Sequence, residues 1–331
     1  MPEVAKTGDI AIDCQRFATS SIGAVWPPIL ATHNRLRGFY PAIVDTPYRM
    51  RRFVREFTDY QQRAKTSGVD RLSIKYVGIA ESVPRARDNG IHIEGMIPLA
   101  TTDSRYLIYA RWNSPARTPG TEDLDRHRML LERTRAQPRR ETSTDCAVRA
   151  LGLDLRLLSR TTPPHWRERE IPRFSEVYRA FDLGESATRE LILDVNNTIA
   201  YLVAPDGGVV CTAVGEHARI PIAGHGIVAL CEITEGTTRA DHRGRGLYRG
   251  LSALLVDLLR QEPLDAIYGE CNLSAPGVVH AARQNNRRFV YDDRNRYGTA
   301  QPDFGILCRN AEIGETPGEY QDFALTYIDL S

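Results

Sequence analysis

Lysine is nearly missing from this chain: of its 43 basic residues only Lys6, Lys65 and Lys75 are lysines. The arginine excess fits a GC-rich coding bias and equally an affinity for phosphate. An excess of one charge sign is also lacking, since 42 acidic residues bring the net charge to +1, so charge alone implies no nucleic-acid partner. The six cysteines, Cys14, Cys146, Cys211, Cys231, Cys271 and Cys308, form no CxxC pair and read as buried reduced thiols. His33, His92, His225 and His242 show no HExxH or similar spacing, so no metal is expected. No GK[ST] ends a glycine turn, no GxGxxG follows a strand, and no GxSxG surrounds Ser21, Ser252 or Ser274, which argues against nucleotide hydrolysis, hydride transfer and serine hydrolysis. Long apolar runs are missing too. The strongest, Leu251 to Leu259, contains Asp257 and is too short to span a bilayer. The opening MPEVAKTGDIAIDCQR has no basic segment followed by an apolar one, so the expectation is a cytoplasmic protein. No fixed-period repeat is visible, which excludes a solenoid.

What is there reads as a globular chain, 42% hydrophobic and 26% charged, and 331 residues are more than one core usually organises. Two units and a connector are expected: 1–115, 116–150 and 151–331. In the first, Met50, Phe53, Val54, Phe57 and Tyr60 recur at helical intervals over about Pro47 to Thr66, ahead of strand-like runs Arg71 to Ile79, Ile91 to Leu99 and Arg105 to Trp112. The connector carries one helical pattern at Leu124, Met129, Leu130 and Leu131. The second unit reads as a strand at Leu153 to Leu158, a helix from about Arg173 to Phe181, then strands Thr198 to Val203, Val209 to Gly215 and Ile227 to Thr234 in hairpin order. The basic-aromatic runs Arg51-Arg52-Phe53-Val54-Arg55 and Arg287-Arg288-Phe289 read as solvated arginine faces or as grips for phosphate or RNA.

After the last of those strands comes Thr238-Arg239-Ala240-Asp241-His242-Arg243-Gly244-Arg245-Gly246-Leu247-Tyr248-Arg249-Gly250, then a helix with Leu251, Leu254, Leu255, Leu258 and Leu259 on one face. A strand, a glycine turn and a helix N-terminus together suit an anion, because glycines let backbone N–H groups crowd it and the helix end adds partial positive charge. A tight connection that merely needs glycines is the other reading.

The segment resembles the R/Q-x-x-G-x-G/A motif of the GNAT N-acetyltransferases, with Arg243, Gly246 and Tyr248 in its three positions and Tyr248 departing from the small final residue. The likeness continues through a strand at Asp265 to Glu270, Asn272, and a helix over about Gly277 to Arg283. Glu232-Ile233-Thr234-Glu235-Gly236-Thr237-Thr238, and Asn89-Gly90-Ile91-His92-Ile93-Glu94-Gly95-Met96-Ile97-Pro98 in the first unit, are similar to segments of the β-lysine N-acetyltransferase family. The resemblance implies an α/β (α+β) fold with a mixed, mostly antiparallel twisted sheet flanked by helices, beside a smaller N-terminal α/β domain. It implies acetyl-CoA as co-substrate, held by Thr237, Thr238, Arg239, Arg243, Gly244, Arg245, Gly246, Leu247, Tyr248 and Asn272.

Acyl transfer to an amine needs a deprotonated amine, a polarised carbonyl and a proton for the thiolate. Glu232, set between Cys231 and Ile233 in an apolar strand, is the first candidate to take the proton or anchor the cation, and Glu235 is the second. A period of two puts them on opposite faces. The tyrosine that the superfamily often carries on the following helix has no counterpart here; His280 is the candidate relay, and an enzyme without a dedicated acid is the alternative. The expected acceptor is a small amine such as an amino acid or its derivative. Two other readings stay open: an aminoacyl-tRNA-dependent transferase on the same fold, and a non-catalytic CoA sensor.

Overall fold

The computed structural model describes residues 35–100, 104–115, 120–138, 151–179, 183–294, 303–310 and 321–330. Cys14, Cys146, His33 and Ser21 lie outside them.

The first unit runs β1 (Arg35–Phe39), α1 (Pro47–Thr66), β2 (Arg71–Ile79), α2 (Ser82–Asp88), β3 (His92–Pro98) and β4 (Arg105–Asn113). Thr46 caps α1 by accepting from the Arg49 N–H at 3.3 Å, and Pro47 opens the helix where a missing donor costs nothing. Its apolar stripe, Met50, Phe53, Phe57 and Tyr60, is buried, while Arg51, Arg52 and Arg55 are exposed, as a solvated arginine face should be. The sheet order is β1-β2-β4-β3, and β1 and α2 are elements the sequence pattern did not announce.

On β2 the pleat sends residues to alternate sides. Tyr76 meets Phe53 of α1, with ring centroids 4.5 Å apart. Arg71, Ser73 and Lys75 leave by the opposite face and are all buried. What buries them is the second unit.

That unit runs β5 (Asp154–Leu158), α4 (Pro164–Arg179), α5 (Glu185–Leu193), β6 (Asn197–Val203), β7 (Val209–Ile222), β8 (Gly226–Thr238), α6 (Leu247–Leu259), β9 (Ala266–Asn272), α7 (Pro276–Gln284), β10 (Arg288–Phe289), β11 (Ile306–Asn310) and β12 (Gln321–Ile328). Eight strands form one sheet in the order β10-β12-β9-β8-β7-β6-β5, with β11 beside β12. Pairing is antiparallel except between β8 and β9, which α6 joins as a crossover. This is the mixed, mostly antiparallel sheet with flanking helices that the resemblance implied. The helix expected from Arg173 begins earlier, at Pro164, because Pro is at home in a first helical turn, and α5 was not foreseen. The connector's helix α3 (Thr121–Ala136) packs through Leu131 onto Cys271, Val279 and Phe289 of the second unit.

One face of the large sheet carries α6 and, beyond it, α7. The other is shared: α4 and α5 cover β6 and β7, and the first sheet covers β8, β9 and β12. One apolar core thus runs from Phe53 and Tyr76 through Ile97 and Leu107 to Leu230, Tyr268, Leu325 and Tyr327. Charges inside this layer are paired, both within the first sheet and across to the second unit. Arg71 donates to both Glu94 carboxylate oxygens at 3.0 and 2.9 Å, and Arg111 bridges Glu94 at 3.1 Å and Asp303 at 3.2 Å. The layers meet tightly at Gly95, where an added Cβ would stand 2.8 Å from Leu325, and beside it the Gly305 N–H donates to the Glu94 carbonyl at 2.6 Å.

Glu94 is fully buried between two guanidinium groups, so Glu94→Ala removes the carboxylate that both share, Arg111 keeping Asp303. The variant should lose about 3–5 kcal/mol of unfolding free energy in a denaturant titration.

Candidate active site

The parallel pair β8–β9 holds register only from Leu230 opposite Ala266 to Ile233 opposite Gly269. Beyond that point β8 follows β7 to Thr238, whereas β9 follows β12 to Asn272, so the strands part and the sheet opens. A bulge marks the place: Thr234 pairs with Val214 and Thr237 with Thr212, leaving Glu235 and Gly236 opposite a single residue. Glu235 sits at φ 43, and its carbonyl accepts from Thr212 Oγ1 at 3.1 Å and Tyr178 Oη at 3.5 Å. The alternation on which the opposite-face expectation for Glu232 and Glu235 rested holds through Thr234 and ends at the bulge.

Just past Thr238 the chain makes the glycine turn. Gly244 (φ 77) and Gly246 (φ 74) are left-handed, a conformation that side chains resist, and Gly246 leads into α6 with no side-chain cap on its first N–H groups. Arg243 is exposed and donates to the Thr238 carbonyl at 3.0 Å; Arg245 donates to the Asp241 carbonyl at 3.2 Å. Arg239 is committed elsewhere, to Asp241 at 2.9 Å and to Glu176 and Asp206 at 3.4 Å each. Asp241 is held below the usual carboxylate range by its hydrogen bonds to Arg239 and His242. Thr237 Oγ1 is buried without a hydrogen-bond partner among the described residues, at the parted end of β8.

Tyr248 does not turn toward the glycine loop. Its ring lies on Gly236 of β8, where an added Cβ would stand 2.2 Å from Cε2. The departure from a small residue at the motif's end is thus matched by a glycine on the facing strand. Across the opening, buried Arg287 reaches Ser252 Oγ of α6 at 2.8 Å and lies 3.0 Å from where a Gly269 Cβ would be. Arg287 is therefore no part of a solvated face; neighbouring Arg288, paired with Asp329 at 2.7 Å, is half-exposed. Burial raises the Tyr248 phenol above its ordinary range, against the opposing pull of Arg287.

Glu232 lies one residue before the last β8–β9 pair, on the face turned to the first sheet. Its Oε2 accepts from Tyr268 Oη at 2.9 Å and stands 3.7 Å from Lys75 Nζ, and its side chain keeps 18% of its exposure. Lys75 donates to the same Tyr268 oxygen at 3.0 Å. Burial, and then the Glu232 charge, push the Tyr268 phenol well above its ordinary value, so it is a hydrogen donor rather than a phenolate.

The structure brings Glu232, Glu235, Thr237, Thr238 and Tyr248 to the parted strands, and Arg243 to Leu247 to the adjoining turn. Asn272 ends β9, where it pairs with Gln321 and accepts from the Ser274 N–H at 2.8 Å. The His280 side chain stands half-buried on α7 with no hydrogen-bond partner among the described residues. Lys75, Tyr268 and Tyr178 escaped the sequence as site residues, and Arg287 was read only as a surface arginine or a phosphate or RNA grip. The rarity of lysine was the one signal that pointed at Lys75. Cys211, Cys231 and Cys271 are free and buried, and burial pushes the Cys211 thiol up to about 12. Among the described residues no group of three metal-ligating side chains occurs, and no helix is long and apolar enough to cross a membrane.

No protein-family model and no curated protein sequence matches the chain. Solved structures do match in part. An N-acetyltransferase from Staphylococcus aureus Mu50 aligns at 9% identity over 54% of this chain and 97% of its own, with a TM-score of 0.38. Arabidopsis thaliana NAA60 in complex with a bisubstrate analogue aligns at 14% identity over 54% and 99%, with a TM-score of 0.38. A spermidine N-acetyltransferase chimera from Vibrio cholerae and hSSAT aligns at 19% identity over 54% and 95%, with a TM-score of 0.35. The first and third are N-acetyltransferases, and each of the three is a low-identity likeness to about half of this chain.

The Tyr248–Gly236 contact is testable by stability alone. Gly236→Ala should cost about 1–3 kcal/mol through overpacking. Adding Tyr248→Ala should recover part of that loss in a double-mutant cycle measured by denaturant unfolding.

Proposed function

We propose that the chain is an acyl-CoA-dependent N-acyltransferase that moves acetyl from acetyl-CoA to the amine of a small amino acid or amino-acid derivative. The observation that carries this is the parting of β8 from β9 after Ile233 and Gly269, directly beside an uncapped, glycine-lined helix N-terminus. The residues fit the coenzyme on three counts. The turn offers unsatisfied backbone N–H groups with Arg243 and Arg245 exposed at its rim, which suits a diphosphate. The parted edge of β8 offers strand backbone, and Thr237 Oγ1 there is an orphaned polar atom.

The coenzyme supplies an activated thioester carbonyl. The chain's own part is to seat it, to hold the amine and to manage one proton. Glu232 handles the acceptor: its carboxylate is reachable, sits at the mouth of the opening and attracts an ammonium. Paired as it is with Tyr268 and Lys75, it acts first as an anchor and then as the acceptor of the amine's proton, directly or through water. Glu235, strained at the bulge, holds the strand edge in place through its carbonyl. Tyr248 and Arg287 flank the gap with a neutral phenol and a cation, either of which suits a departing thiolate.

We take residues 1–115 and 151–331 as two units that function together, the first closing the acceptor side over β8 and β9. The likeness of residues 89–98 and 232–238 to the β-lysine N-acetyltransferases supports an amino-acid acceptor, and the buried reduced thiols are in keeping with the cytoplasm.

Purified protein with acetyl-CoA and a panel of free amines should release thiol without RNA. Product formation that needs RNA and is abolished by ribonuclease would transfer the reading to an aminoacyl-tRNA donor. Gly246→Asp puts a side chain and a negative charge at φ 74 in the turn and should weaken CoA binding more than about tenfold by calorimetry. Glu232→Gln should lower turnover by about two to four orders of magnitude while CoA affinity persists.

A further inference from the structure

Three aromatic rings and a carboxylate surround the ammonium of Lys75. Phe39, Lys75 and Tyr109 occupy one rung across β1, β2 and β4. On the facing sheet Glu232, Tyr268 and Tyr327 occupy one rung across β8, β9 and β12. Where the two rungs meet, Nζ stands 4.7 Å from the Tyr109 ring centroid, 4.7 Å from that of Tyr268 and 5.5 Å from that of Phe39. Each ring face attracts the cation, more strongly because the site is desolvated. The Lys75 side chain keeps 9% of its exposure, too little for water to take over the charge.

Arginine serves almost everywhere else in this chain as the cation, including the buried pairs Arg71–Glu94 and Arg111–Asp303 in the same layer. Guanidinium binds a carboxylate in a planar fork and so occupies both of its oxygens. An ammonium is a point charge that can hold a carboxylate from one side. Here Lys75 and the Tyr268 hydroxyl both act on Oε2 of Glu232. Two nearby carboxylates oppose its ionisation: Glu216 stands directly across from it on β7, and Glu270 lies on the same face of β9 as Tyr268.

We propose that Lys75, supplied by the first unit and caged by Phe39, Tyr109 and Tyr268, is the positioning residue that keeps the Glu232 carboxylate ionised and oriented for the acceptor amine. The assignment rests on the acyltransferase reading of Glu232. It makes the first sheet a working part of the acceptor site, because removing that sheet removes the cation. Without Lys75 the carboxylate loses this cation while Glu216 and Glu270 stay near it, so it binds its proton more readily and its direction is less fixed.

The test uses the full-length protein with Lys75→Met, which keeps the length and removes the charge. Loss of a neighbouring cation should raise the pH at which the Glu232 carboxyl titrates, followed by carbon NMR, by about one unit or more. The acid limb of kcat/KM for the amine should move up with it, and the amine KM should rise about tenfold or more, while acetyl-CoA affinity by calorimetry stays within about twofold. Lys75→Arg should recover most of the titration shift but not the amine KM, because the fork takes up the oxygen meant for the acceptor. If Lys75→Met proves poorly folded, Tyr268→Phe removes the intervening hydroxyl and should shift the same carboxyl in the same direction. An unchanged Glu232 titration in a folded Lys75→Met or Tyr268→Phe protein overturns the proposal, as does an unchanged amine KM. The titration needs no acceptor, whereas calorimetry of the wild type with acetyl-CoA decides the acyltransferase reading separately.

Discussion

Charges buried between two sheets must find partners inside the layer, and in this protein that requirement decides what the first unit can be. Arg71, Lys75 and Arg111 all leave the first sheet on its inner face, where an unpaired charge would cost several kcal/mol. Their partners come from two places: Glu94 is on the same sheet, while Asp303 and Glu232 belong to the second unit. Two of the three cations are thus fully matched only when the layers are stacked. The apolar residues around them, from Ile97 and Leu107 to Leu325 and Tyr327, supply the area that drives stacking, and the charges fix its register.

That stacking explains why the large sheet can open without unravelling. A parallel pair that parts exposes backbone groups at both edges, and each edge here is backed by another strand, β7 for β8 and β12 for β9. The opening is also lined economically. Gly236 makes room for Tyr248 and Gly269 for Arg287, so the two side chains at the gap are received by the two residues that have none.

Much of this was legible in the sequence. The stripe of Met50, Phe53, Phe57 and Tyr60 and the leucine face of α6 gave helices where they stand, because long amphipathic periods are hard to mistake. Turn chemistry placed the hairpin β6–β7 and the glycine turn before α6. The short elements β1, α2 and α5 were hidden, since each is too brief to show a period. The acidic candidates were found by type, but their geometry was not. The bulge at Glu235 and Gly236 depends on pairing with β7, which no local pattern encodes. Lys75 and Tyr268 lie 193 residues apart in sequence and meet only through the packing of two sheets. Arg287 looked like surface from its neighbours Arg288 and Phe289, yet its burial follows from the glycine on β9 that makes room for it.

The position of β12 has a kinetic side. This strand lies between β9 and β10 and packs Leu325 and Tyr327 against the first sheet, yet it follows β9 by some fifty residues of chain and β4 by more than two hundred. While the polypeptide emerges, the first sheet must wait with its inner face uncovered, and contacts of such long sequence separation form slowly. Arginines and a lysine on that face keep it from being a continuous apolar surface during the wait. The same side chains that order the finished interface therefore also shield the half-made one from sticking to other chains.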